Sequence, residues 1–212
     1  MGKGLDTTVN CHSLAGSIKE AGYDFVCRYY NRNNPGKNLT REEAAALSGA
    51  GLHVVAVWEN GYPTSPDYFS YEAGKKDGHD AHRYARSIGQ PANTPIYFTV
   101  DYDASLADLS GVINRYMRGV IDAFQEEEPA AAGIRYDVGI YGSGLTCGRM
   151  LGDFGGSPGI GYAWLAESRG WSGYGKFEQW NIKQLTGATV AGIPVDTNIT
   201  NGNGGGFKVE GA

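Results

Sequence analysis

Six carboxylates stand where short apolar runs give way to polar residues. They are Asp6 after GL, Glu59 after HVVAVW, Asp101 and Asp103 after IYFTV, Glu167 after YAWLA, and Asp196 in PVDTN. Aromatic and amide side chains share these junctions: Tyr30, Trp58, Tyr141, Trp164, Trp180 and Gln184. Gathered at one mouth, they would form an acidic cup walled by flat rings. Glycoside hydrolysis needs such a set, because one carboxylic acid protonates the leaving oxygen while a second group stabilises or captures an oxocarbenium-like centre. Clustered carboxylates raise one another's pKa, which keeps an acid protonated near neutral pH. The expected catalytic set is Asp6, Asp101, Asp103 and Glu59. Arg28, Tyr30, Trp58, Tyr141, Trp164, Glu167, Trp180, Gln184 and Asp196 are expected to bind substrate.

Asp101 and Asp103, at i and i+2, project to the same side of an extended chain, roughly 6.5 Å apart at Cα. The pair can address one glycosidic bond, although spacing alone does not say which residue donates the proton. Structural roles compete with these chemical ones. Asp103 can cap the turn into the next helix, Glu59 can cap a loop turn, and Glu167 can begin a short helix whose dipole favours acid. Tyr141 and Trp164 can fill a barrel layer, Asp196 can sit in a plain turn, and Arg28 faces either the cup or solvent. Metal chemistry has little support. His79 and His82, at i and i+3 around Asp80, read as a solvated helix face, and Cys11, Cys27 and Cys147 lack ligand spacing and read as small buried residues. No metal or cofactor is expected.

A recurring order of apolar run, polar loop and helical periodicity must position these groups. Strands are expected at Leu5, Phe25–Tyr30, His53–Trp58, the IYFTV run, Asp137–Tyr141, Tyr162–Leu165, Phe177–Gln184 and Ile193–Asn198. Helices are expected over Leu14–Ala21, from a Thr40/Glu43 capping box to near Gly51, over Tyr71–Ser87 and over Leu109–Phe124. Eight strands mostly separated by helices predict an α/β fold with a parallel sheet, closed as a single (β/α)8 TIM-like barrel over residues 1–200. The barrel is expected to be irregular, with short or missing helices in its C-terminal half. Function then belongs at the C-terminal strand ends. Residues 201–212, opening NGNGGG, are expected to form a flexible tail.

Composition narrows the partners. A length of 212 residues suits one substantial domain. A net charge of −5 without any Lys/Arg-rich run argues against nucleic-acid binding. No apolar stretch is long enough to span a bilayer, and the N-terminus lacks an apolar signal region. The chain is therefore expected to be a monomer made in the cytoplasm, reaching a wall or periplasm by lysis or a route that does not read such a signal. Whether an export machine or immunity partner accompanies it is open. The 14 tyrosines supply half-polar surfaces of the kind sugars and peptides stack on.

GLDTT, FVCRYY, NLTREEAAALSGAGL, PIYFTVDYD, DVGIYGSG, AWLAES-GW and a closing Q-x(10)-PVD-x-N, in this order, resemble the bacterial glycoside-hydrolase-like domain family, once carried as a domain of unknown function. The resemblance runs from Gly4 to Asn198. That family looks like a relative of the Chalaropsis-type lysozymes, muramidases on an irregular (β/α) barrel. By this resemblance, Asp6 falls at their strand-one Asp, Asp101 and Asp103 at their strand-four Asp-x-Glu, and Asp196 at their Asp near the last strand. The resemblance implies a general acid at position 103 and, at 101, a carboxylate that helps the substrate's N-acetyl group act as nucleophile. The chain departs from the pattern at the acid, where Asp103 is one methylene shorter than Glu. Either Asp103 donates from a shifted backbone, Glu59 or Glu167 supplies the acid, or the site binds glycan without cleaving it. A peptidoglycan glycosidase is the leading expectation. A non-catalytic peptidoglycan- or glycan-binding barrel, or an enzyme for another polysaccharide or a peptide-stem amide, are the alternatives.

Overall fold

The computed structural model describes residues 2–209. Eight strands close into a barrel in sequence order: β1 (Gly2–Asp6), β2 (Phe25–Tyr30), β3 (His53–Trp58), β4 (Pro95–Thr99), β5 (Asp137–Gly142), β6 (Ile160–Ala166), β7 (Ile182–Val190) and β8 (Ile193–Thr200). Among the described residues six α-helices accompany them: α1 (Ala15–Glu20), α2 (Arg41–Gly49), α3 (Tyr71–Ile88), α4 (Leu106–Ser110), α5 (Val112–Ala130) and α6 (Gly144–Phe154). Strands β1 to β7 pair in parallel, whereas β8 runs antiparallel to both β7 and β1. The wholly parallel sheet expected from the sequence is corrected at this strand. Ala191 and Gly192, with φ of 49° and 81°, make a two-residue turn between β7 and β8. Such a turn joins only antiparallel neighbours, because a parallel pair needs a long crossover.

The C-terminal half carries the other departures from regularity. β7 starts at Ile182 rather than Phe177, so residues 167–181 form an irregular connection with no helix. The helix expected over Leu109–Phe124 is divided at Gly111 into α4 and α5. Ser105 caps α4 with a reciprocal Ser105/Asp108 box. At α2 the box is only half made. Thr40 accepts from the Glu43 amide, while the Glu43 carboxylate turns into the core.

Alternation along the strands sorts side chains into two cores. Phe25, Cys27, Val55, Val57, Tyr97, Trp164 and Ile182 pack together inside the barrel. Their neighbours on the opposite face, among them Tyr30, Ala56, Trp58 and Phe98, pack beneath the helices. The interior is filled below the mouth because two glycines make room for rings. A Cβ on Gly4 would lie 2.2 Å from the Phe25 ring, and one on Gly139 would lie 2.6 Å from that of Tyr97.

Of the tail expected to be loose after residue 200, residues 201–203 are exposed, whereas its last described residues pack onto the barrel. Phe207 and Val54 exchange backbone hydrogen bonds of 2.8 Å, and Phe207 and Val209 are buried. Positions 210–212 of that expectation lie outside the described residues. The solvated histidine face is also corrected. His79 pairs with Glu126 and Glu127, and His82 is buried against Phe124 and Tyr136. All three cysteines are buried and free.

Candidate active site

The mouth of the barrel opens into a polar cavity of about 350 Å³. Asp6 on β1, Asp101 after β4, Glu59 after β3 and Asp196 on β8 bring four carboxylates to it. Tyr29, Thr99, Tyr141, Trp164, Trp171 and Gln184 supply much of the remaining wall. Asp196 reaches the mouth because β8 is reversed, which sets it directly opposite Asp6 in the β1/β8 ladder. Glu59 and Asp101 come from the β3/β4 side of the ring.

Asp6 is 4% exposed and held by three donors. Gln184 Nε2 donates to its Oδ2 at 2.9 Å, Asn198 Nδ2 to the same oxygen at 2.7 Å, and the Tyr29 hydroxyl to Oδ1 at 3.3 Å. Two further donors set the amides: the Tyr141 hydroxyl donates to Gln184 Oε1 at 2.8 Å, and Trp164 Nε1 donates to Asn198 Oδ1 at 2.9 Å. With their oxygens engaged, both amides turn N–H toward Asp6. Oδ2 thereby accepts two bonds, and Oδ1 accepts the longer one from Tyr29. Burial pushes the Asp6 carboxyl up to about 6, against the lowering pull of these donors and with help from the nearby Asp196 charge.

Asp101 is arranged differently. Its backbone N–H donates to the Pro63 carbonyl at 2.9 Å, and among the described residues no group donates to its carboxylate. Its pKa is raised by burial first and then by the charge of Glu59, with Lys37 opposing. Glu59 is itself paired with Lys37 at 2.5 Å, and the same ammonium lies 4.3 Å from the centre of the Tyr29 ring. Burial, and then the charges of Asp101, Asp6, Glu59 and Asp196, raise the Tyr141 phenol well above its ordinary value. Tyr141 therefore stays a neutral hydrogen-bond donor.

Of the expected site residues, the structure brings Asp6, Glu59, Asp101, Tyr141, Trp164, Gln184 and Asp196 to this cavity. Arg28 faces neither the cup nor solvent. It is wholly buried, with Nε 2.6 Å from Glu43 Oε1 and Nη1 donating to the Thr7 carbonyl at 2.5 Å. It therefore ties β2 to α2 and to the chain just after Asp6. Tyr30 donates to Gln90 at 2.8 Å, and Trp58 packs against Tyr84 and Arg32, both outside the barrel. The period of two explains this, since Trp58 cannot share a face with Val57 and Glu59, nor Tyr30 with Tyr29. Trp180 lies ahead of β7 beside Lys183 and does not line the cavity. Glu167 starts no helix; it accepts from the Gly175 amide at 2.9 Å and pairs with Lys183 at 3.0 Å.

Asp103 is also turned away. β4 ends at Thr99, so the extended geometry that would aim both aspartates one way does not persist. Ser172 N and Oγ donate to the Asp103 carboxylate at 2.7 and 3.2 Å, so Asp103 ties two loops and caps no helix. Sequence reasoning overlooked Tyr29, Lys37, Trp171 and Asn198. Strand alternation could have found Tyr29, once Arg28 and Tyr30 were seen to share the other face. Trp171 lies on a loop and Lys37 ends a single 3-10 turn (Pro35–Lys37), where no periodicity points to them. Among the described residues no group of His, Cys, Asp and Glu is arranged to hold a metal ion, and no helix is long and apolar enough to cross a membrane.

Comparison with known proteins places this geometry in context. Residues 16–200 match the family described as Rv2525c-like, glycoside hydrolase-like domain. The uncharacterized protein FadG of Bacillus subtilis is 31% identical over 201 residues, covering 89% of this chain and 33% of FadG. The putative peptidoglycan hydrolase Rv2525c of Mycobacterium tuberculosis is 28% identical over 111 residues, covering 49% of this chain and 46% of that protein. The chain thus spans a third of one relative's length and under half of the other's. The crystal structure of Tat-secreted Rv2525c in complex with L-tartrate superposes with a TM-score of 0.76 at 23% identity, over 97% of this chain and 98% of that one. A lysozyme from Streptomyces coelicolor gives a TM-score of 0.56 at 21% identity, over 95% and 93% of the two chains. These structural likenesses establish a shared fold.

Proposed function

The chain belongs to the Rv2525c-like, glycoside hydrolase-like domain family, and from that premise we propose that its cup cleaves a β-linked N-acetylated sugar in bacterial cell-wall peptidoglycan. The observation that carries this reading is the unequal setting of two carboxylates on one cavity. Asp6 is braced by three donors that pull against the raising effect of its burial and leave it ionised above about pH 6. Asp101 has no such donors and lies near the negative Glu59, which favours its protonated form. In this scheme Asp101 protonates the leaving oxygen. Asp6 stabilises the positive charge that develops on the sugar, directly or through the substrate's acetamido group. Lys37 pairs with Glu59 beside Asp101, and Asp196 lies opposite Asp6. The description of Rv2525c as a putative peptidoglycan hydrolase supports the choice of substrate.

The setting of Asp103 favours a second reading, a non-catalytic glycan-binding barrel, because the position that resembles the muramidase acid is engaged by Ser172. One experiment separates the two. Purified peptidoglycan is incubated with wild type, Asp101→Asn and Asp6→Asn, and soluble products are identified by mass spectrometry. Hydrolysis predicts saccharide release by wild type and a loss of about a hundredfold or more in Asp101→Asn, the scale of general acid catalysis. Equal release by wild type and Asp101→Asn removes Asp101 from the chemistry. Retention of wild type on peptidoglycan without any product establishes the binding reading.

A further inference from the structure

We propose that Trp171 is a sugar-stacking platform on the rim of the cup, and that Asp103 is the residue that positions it. The inference rests on the reading of the cup as a saccharide site. Trp171 is half-buried and lines the cavity from the β6–β7 side, across the ring of strands from Tyr29 on β2. No helix supports the connection that carries it, so its position depends on anchors. The Leu145 amide donates to the Ser172 carbonyl at 3.0 Å, and the Gly175 amide donates to Glu167 at 2.9 Å. Gly173 packs so tightly on Gly144 that a Cβ on Gly144 would lie 2.5 Å from the Gly173 carbonyl oxygen. The Trp171 amide also donates to the Ser168 carbonyl at 3.1 Å, and its carbonyl accepts from the Tyr174 amide at 3.1 Å. Asp103 holds this connection with a side chain from outside it, and its two oxygens engage the residue adjacent to Trp171.

This arrangement accounts for an aspartate where the resemblance implies a glutamate. Both bonds go to one residue, the backbone N–H and hydroxyl of Ser172, which a short carboxylate spans without folding back. Asp103 is exposed at the surface and absent from the cavity wall. It acts on substrate through Trp171.

The test uses Trp171→Ala, Asp103→Ala, Asp103→Asn and the double variant Trp171→Ala/Asp103→Ala. Affinity for tetra-N-acetylchitotetraose and for peptide-free peptidoglycan strands is measured by calorimetry, and KM and kcat are measured on the strands. Trp171→Ala and Asp103→Ala should each raise Kd and KM about tenfold, the factor that ~1.4 kcal/mol makes, with kcat held within about twofold. The double variant should bind no worse than Trp171→Ala, since both changes remove one platform. Asp103→Asn should fall between, because its amide oxygen still accepts from the Ser172 N–H. A collapse of kcat at unchanged KM in Asp103→Asn would make Asp103 a proton donor and overturn the proposal. Additive losses in the double variant, or unchanged affinity in Trp171→Ala, would overturn it as well. If wild type binds these glycans without cleaving them, the hydrolase reading fails while the affinities still decide the platform. If wild type binds neither glycan, both fail.

Discussion

Asp6→Asn should make the protein more stable at neutral pH, and the size of the gain follows from the site. In the unfolded chain this carboxyl ionises near the ordinary value of 3.8, and in the fold burial holds its proton to about 6. Below 3.8 both states carry the proton, so the residue adds no pH-dependent cost. Between the two values the unfolded state ionises first, and stability falls as pH rises. Above about 6 the whole cost is present; at about 1.36 kcal/mol per pKa unit it amounts to ~3 kcal/mol. The side chain is 4% exposed, so solvent screening removes little of this. Asparagine carries no charge and can keep its oxygen toward the Gln184 and Asn198 amides that now engage Oδ2. For a domain of this length about 2–4 °C per kcal/mol applies, so the variant should melt roughly 6–12 °C higher near pH 8. The assay is urea and thermal unfolding of both proteins near pH 4, 6 and 8. The gap should be largest near pH 8 and close near pH 4. An equal gap at all three, or a variant no more stable near pH 8, would refute the reasoning that Asp6 is a costly buried charge retained for chemistry.

Further outcomes follow from the same geometry. Arg28→Met strands the buried Glu43 carboxylate and should cost about 3–5 kcal/mol in urea unfolding without a direct effect on glycan contacts. Trp58→Ala should cost about 3–5 kcal/mol of stability, while the folded variant keeps wild-type glycan affinity by calorimetry. A large affinity loss would count against its position outside the barrel. Lys37→Met removes a cation that lowers the Asp101 pKa, so the alkaline limb of kcat/KM against pH should move upward. A downward move would exclude Asp101 as the proton donor.

Strand positions and the carboxylates at strand ends were legible because apolar runs and their breaks are local. The face that each side chain takes was partly legible. Glu59 and Trp58 are adjacent in an extended strand and cannot both enter the cup. The same rule separates Tyr29 from Arg28 and Tyr30. The fate of the Asp101/Asp103 pair was not legible, because β4 stops at Thr99 and the partner that claims Asp103 lies 69 positions away at Ser172. Nor could spacing reveal that Glu43 leaves its helix cap for Arg28, which depends on how α2 packs against β2.

By itself the sequence determined an eight-stranded α/β chain with acidic and aromatic strand ends, because burial and side-chain alternation are written into neighbouring residues. The tertiary structure alone decided which of those groups share one cavity. Barrel closure paired the reversed β8 with β1 and so set Asp6 opposite Asp196, and it oriented two amides onto Asp6 through Tyr141 and Trp164. Loop packing drew Asp103 away to Ser172. These choices rest on contacts between residues far apart in the chain, where free energy depends on three-dimensional packing and solvent exclusion that no local pattern encodes.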